Sequence, residues 1–382
     1  MNCSVNLKMP GFADCDIKIR AKGFLVATVY WANETGSLPG WSAFAVFPIE
    51  PTGIGHYYFH GHRAIPDKAT HLYIKCVSAS FEIVESCLLQ IPGEYLPHVA
   101  YSKEPIVFSL MSDLHLSNNP SKILQALRKA NSTILISGDL TNDGISRQFE
   151  LLKECIDTVA KDRLILAVTG NHDQLLQLNA EESFGYNLFQ KSLFDRAETL
   201  GFHVEIDNSG AYSVSYESID IIGLQCVTVG RKFIFPEGKQ LKWLKQHLDS
   251  DTSTWHIVLC HAPLSEHTCR KGKKSFYLSR NDELQQIIDQ HQNIIFISGH
   301  THFSPNIDWG TVQCNPLKNI IYIDDGSICP TDLQNELLVP TEWKDGVIAE
   351  LKIFSNAIEV SFKSIKTGVL YPRGYYRFSS LK

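Results

Sequence analysis

Five apolar runs of this sequence each end in residues that can bind a metal ion. These residues offer carboxylate oxygen, amide oxygen and imidazole nitrogen, and none of them offers a thiolate. In chain order they are Asp113, His115, Asp139, Asn171, His261, His300 and His302. Such a set exceeds what one tetrahedral ion needs, and its chemistry suits Mn²⁺, Fe, Zn²⁺ or Co²⁺ better than Mg²⁺ or Ca²⁺. The sequence therefore predicts a site for two metal ions.

The neighbours of these ligands indicate what the site could do. Asp139 can bind both ions through its two oxygens, and two ions ~3.5–4 Å apart can polarise a phosphoryl group and generate a hydroxide nucleophile. His172 follows the ligand Asn171, so we expect it to face the substrate and to donate a proton to the leaving oxygen. Asp173 is expected to orient or charge-stabilise the same neighbourhood. Any one of these short motifs could instead be a turn with hydrogen-bonded side chains, but five in order favour the metal site.

The elements that position the ligands are nearly continuous apolar runs, as expected of strands covered on both faces. They are Ile106–Met111, Thr133–Ile136, Leu164–Val168, Ile257–Cys260 and Ile294–Ile297. Segments with helical spacing alternate with them, starting near Asn118 to Pro120, Ser146, Gly185, Lys239 and Asp282. Alternating strands and helices predict an α/β core. Gly138, Gly170 and Gly299 precede ligands, where we expect the backbone to turn sharply without a Cβ in the way.

The two ends of the chain have a different pattern. Residues 1 to about 100 contain short alternating runs separated by turn clusters, which predict a small all-β sandwich. Residues 94–105 include two prolines and are predicted to be a linker, and strand patterns return from about 346. We therefore predict three regions: an all-β sandwich domain over 1–100, a catalytic domain over 101–345, and C-terminal strands over 346–382 that pack on either domain.

The ordered motifs resemble those of the calcineurin-like metallophosphoesterase superfamily. They are Asp113-Leu114-His115, Gly138-Asp139, Gly170-Asn171-His172-Asp173, His261 and Gly299-His300-Thr301-His302, and the resemblance spans residues 106 to about 330. It implies an α/β fold, α+β in some schemes, in which a two-sheet β-sandwich flanked by helices follows a fibronectin III-like or immunoglobulin-like sandwich. The ligand sets that it implies for the two metals are Asp113, His115, Asp139 and His302 for one, and Asp139, Asn171, His261 and His300 for the other. It also implies that His172 faces the substrate.

Two departures from the family pattern argue against particular branches of the family. Protein serine/threonine phosphatases have an Arg where this chain has Asp143, and purple acid phosphatases have a Tyr iron ligand where it has Asn142. The segment Gly138 to Gly144 is similar to the class III cyclic nucleotide phosphodiesterase branch, whose members and neighbours hydrolyse diverse phosphodiesters and monoesters. We therefore predict a phosphodiesterase that acts through a metal-bound hydroxide. The alternatives are a phosphomonoesterase or nucleotidase, and an inactive metal-stabilised binding module.

The bulk composition limits partners and location. The 382 residues have a formal charge of −6, which gives no sign of a basic groove for nucleic acid, so we expect a small phosphoester substrate. The ten cysteines form no Cys-x-x-Cys pair, and neither a signal peptide nor an apolar run of membrane-spanning length is visible. These features predict a cytoplasmic protein with reduced thiols. Protein partners stay unknown.

Two other groups of residues are weaker candidates for a site. His56, His60 and His62 lie at even spacing, but a strand explains that spacing better than a metal site does. The basic run from Arg270 to Lys274 could meet a phosphate, and it is more typical of a solvated loop.

Overall fold

A computed structural model describes residues 1–23, 26–59, 63–97, 101, 104–174, 180–229, 232–267, 277–302, 312–329 and 346–379. His60, His62 and the basic run from Arg270 to Lys274 lie outside these residues. The chain divides into two compact units. The first contains Met1–Pro105, Ile353–Lys363 and Thr367–Ser379, and the second contains Ile106–Lys352 and Ser364–Lys366.

Strands are the main elements along the chain. The first eight are β1 (Asn2–Leu7), β2 (Cys15–Arg20), β3 (Val26–Asn33), β4 (Gly36–Ser37), β5 (Ala45–Pro48), β6 (Ile54–Phe59), β7 (His71–Val77) and β8 (Ile83–Gln90). The next thirteen are β9 (Ile106–Met111), β10 (Thr133–Ile136), β11 (Leu164–Ala167), β12 (Val204–Ile206), β13 (Tyr212–Tyr216), β14 (Ile219–Gly223), β15 (Val227–Val229), β16 (Lys232–Ile234), β17 (Trp255–Leu259), β18 (Tyr277–Leu278), β19 (Ile294–Ser298), β20 (Val312–Asn315) and β21 (Ile320–Asp324). The last are β22 (Val347–Ile353), β23 (Ala357–Ser364) and β24 (Leu370–Ser379).

The α-helices all lie in the second unit, within the part of the chain that the structure describes. They are α1 (Ser121–Lys129), α2 (Ser146–Val159), α3 (Ala180–Thr199), α4 (Lys239–Ser250) and α5 (Asn281–Gln290). The five helices are interspersed among the strands from β9 to β19, so the chain has a mixed α/β fold, as the sequence predicted.

The first unit is built from antiparallel strands. β1, β2 and β6 form one sheet, and β4, β3, β7 and β8 form another in that order, with β5 pairing with β3. β23 and β24 pair antiparallel to each other. Alternate residues such as Ile17 and Ile19 are buried, because successive side chains of a strand point to opposite faces. Trp31 is buried in the apolar core of this unit, with its ring centroid 4.8 Å from that of Phe44.

The second unit contains parallel strands in two sheets. One has the order β11-β10-β9-β22, and the other is seven-stranded with the order β12-β13-β14-β17-β19-β21-β20. β15, β16 and β18 form a further small sheet. β10, β11, β14, β17, β19 and β21 are buried along their whole length, as strands covered on both faces should be.

The helix predictions are confirmed with one shift of a boundary. α2 begins at Ser146 as expected, and the Asn119 side chain accepts a hydrogen bond from the Ser121 amide at the start of α1. α3 begins at Ala180, which is earlier than the expected start at Gly185. The first residues of α3 are good helix formers without apolar spacing, so the periodic pattern could not reveal them.

Candidate metal centre

The carboxyl ends of parallel strands bring the seven predicted ligands together. β9, β10 and β11 run parallel, and so do β14, β17, β19 and β21. Each ligand lies within four positions of the last residue of β9, β10, β11, β17 or β19. Since these strands are apolar and buried, the polar ligands begin where the strands stop.

Four of the predicted ligands form a first cluster. The ligand atoms of Asp113, His115, Asp139 and His302 all lie within 4.8 Å of one another. His302 Nε2 is 2.8 Å from Asp113 Oδ1 and 3.2 Å from His115 Nε2. His115 Nε2 is 3.7 Å from Asp139 Oδ2. Two carboxylates and two imidazoles therefore converge on one small volume.

A second cluster shares Asp139 with the first. The ligand atoms of Asp139, His261 and His300 also lie within 4.8 Å of one another. His261 Nε2 is 3.4 Å from Asp139 Oδ2 and 3.3 Å from Asn171 Oδ1. The ring of Phe233 lies edge-on to both His261 and His300, with centroid distances of 5.8 and 5.0 Å. This apolar contact restrains both imidazoles.

The two carboxylates have the hydrogen-bonding pattern of metal ligands. Asp113 Oδ2 accepts bonds from Ser112 Oγ at 2.5 Å and from the His300 amide at 3.1 Å, and Asp139 Oδ1 accepts one from the His172 amide at 2.8 Å. The other oxygen of each is buried and faces only ring nitrogens of the clusters: Asp113 Oδ1 is 2.8 Å from His302 Nε2, and Asp139 Oδ2 is 3.4 Å from His261 Nε2. Burying such an oxygen is costly unless a cation compensates it, so both oxygens fit a bound metal.

The imidazole of His261 has a fixed tautomer. Its Nδ1 lies 2.8 Å from the carbonyl oxygen of Ser137, to which the Nδ1–H donates. The lone pair of Nε2 is therefore directed to the cluster with Asp139. A ligating histidine that donates its other N–H to a carbonyl is the usual arrangement around a protein-bound metal.

The pKa shifts of the clustered residues indicate that both clusters favour a positive charge. Burial lowers the pKa of His261, but the carboxylate of Asp139 outweighs burial and raises that pKa to about 10. Burial raises the pKa of Asp139, yet His261 outweighs it and holds that pKa at about 2. The pKa of Asp113 is likewise below its usual range, since His302 outweighs burial. These shifts indicate that the buried carboxylates favour a nearby positive charge.

Five of the ligands have a left-handed backbone. Their φ angles are 50° at Asp113, 43° at His115, 51° at Asp139, 68° at His300 and 56° at His302. This conformation costs energy for residues with a Cβ, and it persists only where the surrounding structure imposes it. The three loops that carry these five residues are therefore held in shapes that aim their side chains at the clusters.

The three glycines that precede ligands are required for two different reasons. Gly138 has a φ of 106°, so it makes the sharp turn that the sequence predicted. Gly170 and Gly299 have no such φ, and they are required by close approach instead. A Cβ on Gly170 would lie 2.1 Å from Asp139 Oδ1, and one on Gly299 would lie 2.7 Å from the Ser112 Cβ.

His172 lies at the edge of the first cluster. It begins a short 3₁₀ helix (His172–Gln174), is partly exposed, and has its ring centroid 4.3 Å from that of His115. Its Nδ1 lies 2.8 Å from the Asn142 carbonyl oxygen, to which the Nδ1–H donates. Nε2 is therefore the nitrogen left for a substrate.

The carboxylate of Asp173 is bonded to the backbone of two loops. Its buried carboxylate accepts hydrogen bonds from the amides of Gly170 at 2.8 Å, Leu140 at 3.1 Å and Thr141 at 2.8 Å, and from the Thr141 hydroxyl. Burial and the nearby Asp139 raise its pKa to about 6, against the effect of these donors. Asp173 therefore fastens the loop after β10 to the loop after β11, which makes it a positioning residue.

Further positioning residues had no motif of their own. The Gln148 amide pairs with Asp143 twice, donating to Oδ2 at 2.7 Å and accepting from the Asp143 N–H at 3.0 Å. This clamp holds the loop whose Asn142 carbonyl binds His172. Ser137 Oγ donates to Asp325, which lies just after β21. The signal for Gln148 was its place in the first turn of α2, where a side chain can reach back to the preceding loop.

Comparison with known proteins identifies the family. Residues 106–304, just over half of the chain, match the model of the calcineurin-like phosphoesterase family. The chain belongs to this family. It is accordingly a metallophosphoesterase, a phosphoric ester hydrolase.

Individual relatives are more distant. A protein from Synechococcus sp. named probable cyclic nucleotide phosphodiesterase is 25% identical over 207 residues, which cover 50% of this chain and 71% of that protein. A purple acid phosphatase from yellow lupin seeds is 13% identical and covers 98% of this chain and 74% of its own, with a TM-score of 0.46. The anchor in the inner membrane complex of Plasmodium is 15% identical and covers 73% of this chain and 90% of its own, with a TM-score of 0.43.

No helix in the described part of the chain is long and apolar enough to cross a membrane.

Proposed function

We propose that this protein hydrolyses a small phosphodiester, such as a cyclic nucleotide, with two divalent metal ions. The observation that supports this most is the pair of ligand clusters sharing Asp139. A carboxylate common to two clusters suits a bridge between two ions, and a pair of ions matches the needs of phosphoryl transfer.

The ligand sets follow from the two clusters. We assign one ion to Asp113, His115, Asp139 and His302, and the other to Asp139, Asn171, His261 and His300. When bound, such a pair polarises the phosphoryl group and makes water a better nucleophile. The mixture of oxygen and imidazole ligands suits Mn, Fe, Zn or Co, and metal availability decides among them.

His172 supplies the proton for the leaving alkoxide in this proposal. Since its Nδ1–H is bound to the Asn142 carbonyl, the proton at Nε2 is the one it can deliver. Asp173 supports the same step indirectly, because it fixes the loop after β10 from which that carbonyl comes.

A diester is favoured over a monoester by two features. One is the similarity of the Gly138 to Gly144 segment to the class III cyclic nucleotide phosphodiesterase branch. The other is the name of the Synechococcus relative. A phosphomonoesterase or nucleotidase is the rival enzyme, and an inactive metal-stabilised binding module is the rival of another class.

Two chromogenic substrates separate these possibilities. The metal-depleted full chain is reloaded with Mn²⁺, and in parallel with Fe²⁺, Zn²⁺ or Co²⁺, and assayed on bis-para-nitrophenyl phosphate and para-nitrophenyl phosphate, with Asp139→Asn as the inactive control. We expect kcat/KM to be higher on the diester, and hydrolysis of 3′,5′-cyclic nucleotides to follow. A preference for the monoester would establish the rival enzyme, and no turnover with any of the four metals would establish the binding module.

We also propose that residues 1–100 form an all-β domain of the fibronectin III or immunoglobulin type, preceding a two-sheet catalytic domain over 101–345 and the C-terminal strands over 346–382. The antiparallel sheets of the first unit support this division, and so does the change of unit after Pro105. Limited proteolysis of the full chain should cut first between 94 and 105. First cuts inside the α/β region would contradict the proposal.

A further inference from the structure

A second group of imidazoles and carboxylates lies at the opposite edge of the seven-stranded sheet. It consists of Asp220, His247, Asp251 and His256, which we call the amino-edge cluster. Asp220 and His256 are the second residues of β14 and β17 and face each other in register. His256 precedes the centre ligand His261 by five positions along an extended strand, a separation of roughly 16 Å. The amino-edge cluster is therefore outside the metal centre.

The four side chains come from different elements and meet closely. The ligand atoms of Asp220, Asp251 and His256 lie within 4.8 Å of one another. His247 is in the last turn of α4, and its Nε2 is 2.9 Å from Asp220 Oδ2. His256 Nε2 is 3.0 Å from Asp251 Oδ1. These distances are similar to the 2.8 Å between His302 and Asp113 in the metal centre.

The cluster is largely shielded from water. The Asp220 side chain is 2% exposed and that of His256 is 9% exposed, while His247 and Asp251 are 12% and 27% exposed. A carboxylate as buried as Asp220 requires a compensating charge, so the charge balance of the cluster decides its role.

The hydrogen bonds of the cluster leave part of it unsatisfied. His247 pairs with Asp220, and Asp251 accepts a hydrogen bond from the Ser253 amide at 2.8 Å. The Nδ1 of His256 is also buried and has no hydrogen-bond partner among the described residues. Two carboxylates and this imidazole therefore lie close together with one ring nitrogen unsatisfied. A divalent cation would bring positive charge to the carboxylates and a partner to the imidazole.

We propose that the amino-edge cluster is a binding site for one divalent transition-metal ion of the zinc or cobalt type. Asp220, Asp251 and His256 offer two carboxylates and one imidazole within reach of one ion, and His247 holds Asp220 in place from α4. Carboxylate and imidazole are ligands that zinc accepts in proteins. An ion there would tie the end of α4 and Asp251 to the starts of β14 and β17. Its role is structural, since the phosphoester chemistry belongs to the other edge of the sheet. The inference does not rest on the proposed substrate.

Metal counting on the full chain tests this site. The protein is stripped with a chelator, incubated with Zn²⁺ or Co²⁺, dialysed and analysed for metal per chain. We expect His256→Ala to hold one equivalent less than the wild type while its phosphoester hydrolysis stays within about twofold. His291→Ala is the matched control, because His291 pairs with Asp249 at 3.1 Å on the surface nearby and should leave the metal count unchanged. An equal count in His256→Ala and wild type would overturn the proposal.

A second measurement covers the case in which His256→Ala does not fold. Asp139→Asn disables the metal centre and leaves the amino-edge cluster intact. The melting temperature of this variant should rise by about 5–10 °C at a 100-fold excess of Zn²⁺ over Kd. Adding Asp220→Asn, which keeps the shape of the side chain, should abolish that rise. A rise that survives Asp220→Asn, or no rise in Asp139→Asn alone, would refute the site.

Discussion

At the carboxyl edge of the seven-stranded sheet, His261, His300 and His302 lie in loops that follow β17 and β19. At the amino edge of the same sheet, Asp220 and His256 lie within the strands themselves. Both edges gather imidazoles and carboxylates, but five ligands of the metal centre have a positive φ and none of the four amino-edge residues has one. The carboxyl edge therefore stores backbone strain, and the amino edge does not.

This difference in backbone strain distinguishes a site for catalysis from a site for structural support. Strained loops with glycines behind them can hold two ions close together and leave a side open for a substrate. Residues on regular strands and on a helix can also gather as metal ligands, without backbone strain. An ion that they bind is enclosed between packed elements. Substitutions at the carboxyl edge should therefore act on turnover, and those at the amino edge should act on stability.

Asp139→Asn should have the largest effect. The bridging carboxylate loses a charge in both clusters at once, so the variant should lose both ions of the metal centre and about 10³-fold or more in kcat. Metal analysis and diester hydrolysis measured on the same preparation check this. Retention of both ions would contradict the bridging role, and so would normal turnover.

His172→Ala should lose about 10²–10³-fold in kcat while its metal content stays normal, because His172 binds the leaving group in our assignment rather than a metal. A leaving group that needs no protonation, such as para-nitrophenolate, should be affected less than an alkyl alkoxide. An empty metal centre in this variant would show that the assigned role is wrong.

Gly170→Ala should lose about 10²-fold in activity, since the new Cβ would collide with Asp139 Oδ1 and displace the carboxylate that the two clusters share. Gly93→Ala is the matched control, because a Cβ there would meet no atom within 4 Å. If both variants hydrolysed the diester equally well, the close approach would not be needed for function.

Asp173→Asn should lose about tenfold in kcat/KM with little change in the melting temperature. The amide keeps the size of the carboxylate, but its NH₂ group replaces one acceptor oxygen. The variant therefore loses either the bonds from Leu140 and Gly170 or those from Thr141. A crystal structure of this variant should show displaced loops. Its pH profile should keep the titrating groups of the wild type. A loss as large as that of His172→Ala would restore a direct catalytic role for Asp173.

His247→Ala should have the smallest effect on turnover, with kcat within about twofold of the wild type. It leaves the buried Asp220 without its partner, so the free energy of unfolding should fall by about 2 kcal/mol. Urea unfolding and diester hydrolysis together check the separation of the two edges. A tenfold loss of kcat would show that the amino edge takes part in catalysis.

Much of the carboxyl edge could be predicted from the sequence because its signals are local. A buried strand such as β10 or β19 appears as a continuous apolar run, and its ligands follow within a few residues. β8 lacks such a local signal, since most of its side chains are exposed and no apolar alternation marks it.

The amino-edge cluster could not be predicted in this way. Asp220, His247, Asp251 and His256 follow no motif, and only the pairing of β14 with β17 and the packing of α4 bring them together. The partners of Asp173 could not be predicted for a related reason. The sequence indicates that it orients its neighbourhood, but the residues that it contacts, Leu140 and Thr141, lie more than thirty positions away.

The long separation of the ligands has a consequence for how the protein matures. His115 and His302 meet across 187 positions of chain. Closing such loops is slow and precedes any gain from ligand binding, so no short segment can capture an ion early. We therefore expect metal uptake to follow chain folding, unlike in a zinc finger, where the ion drives folding. Refolding of the stripped protein should show a first phase whose rate is independent of metal concentration and a second, concentration-dependent phase in which activity appears.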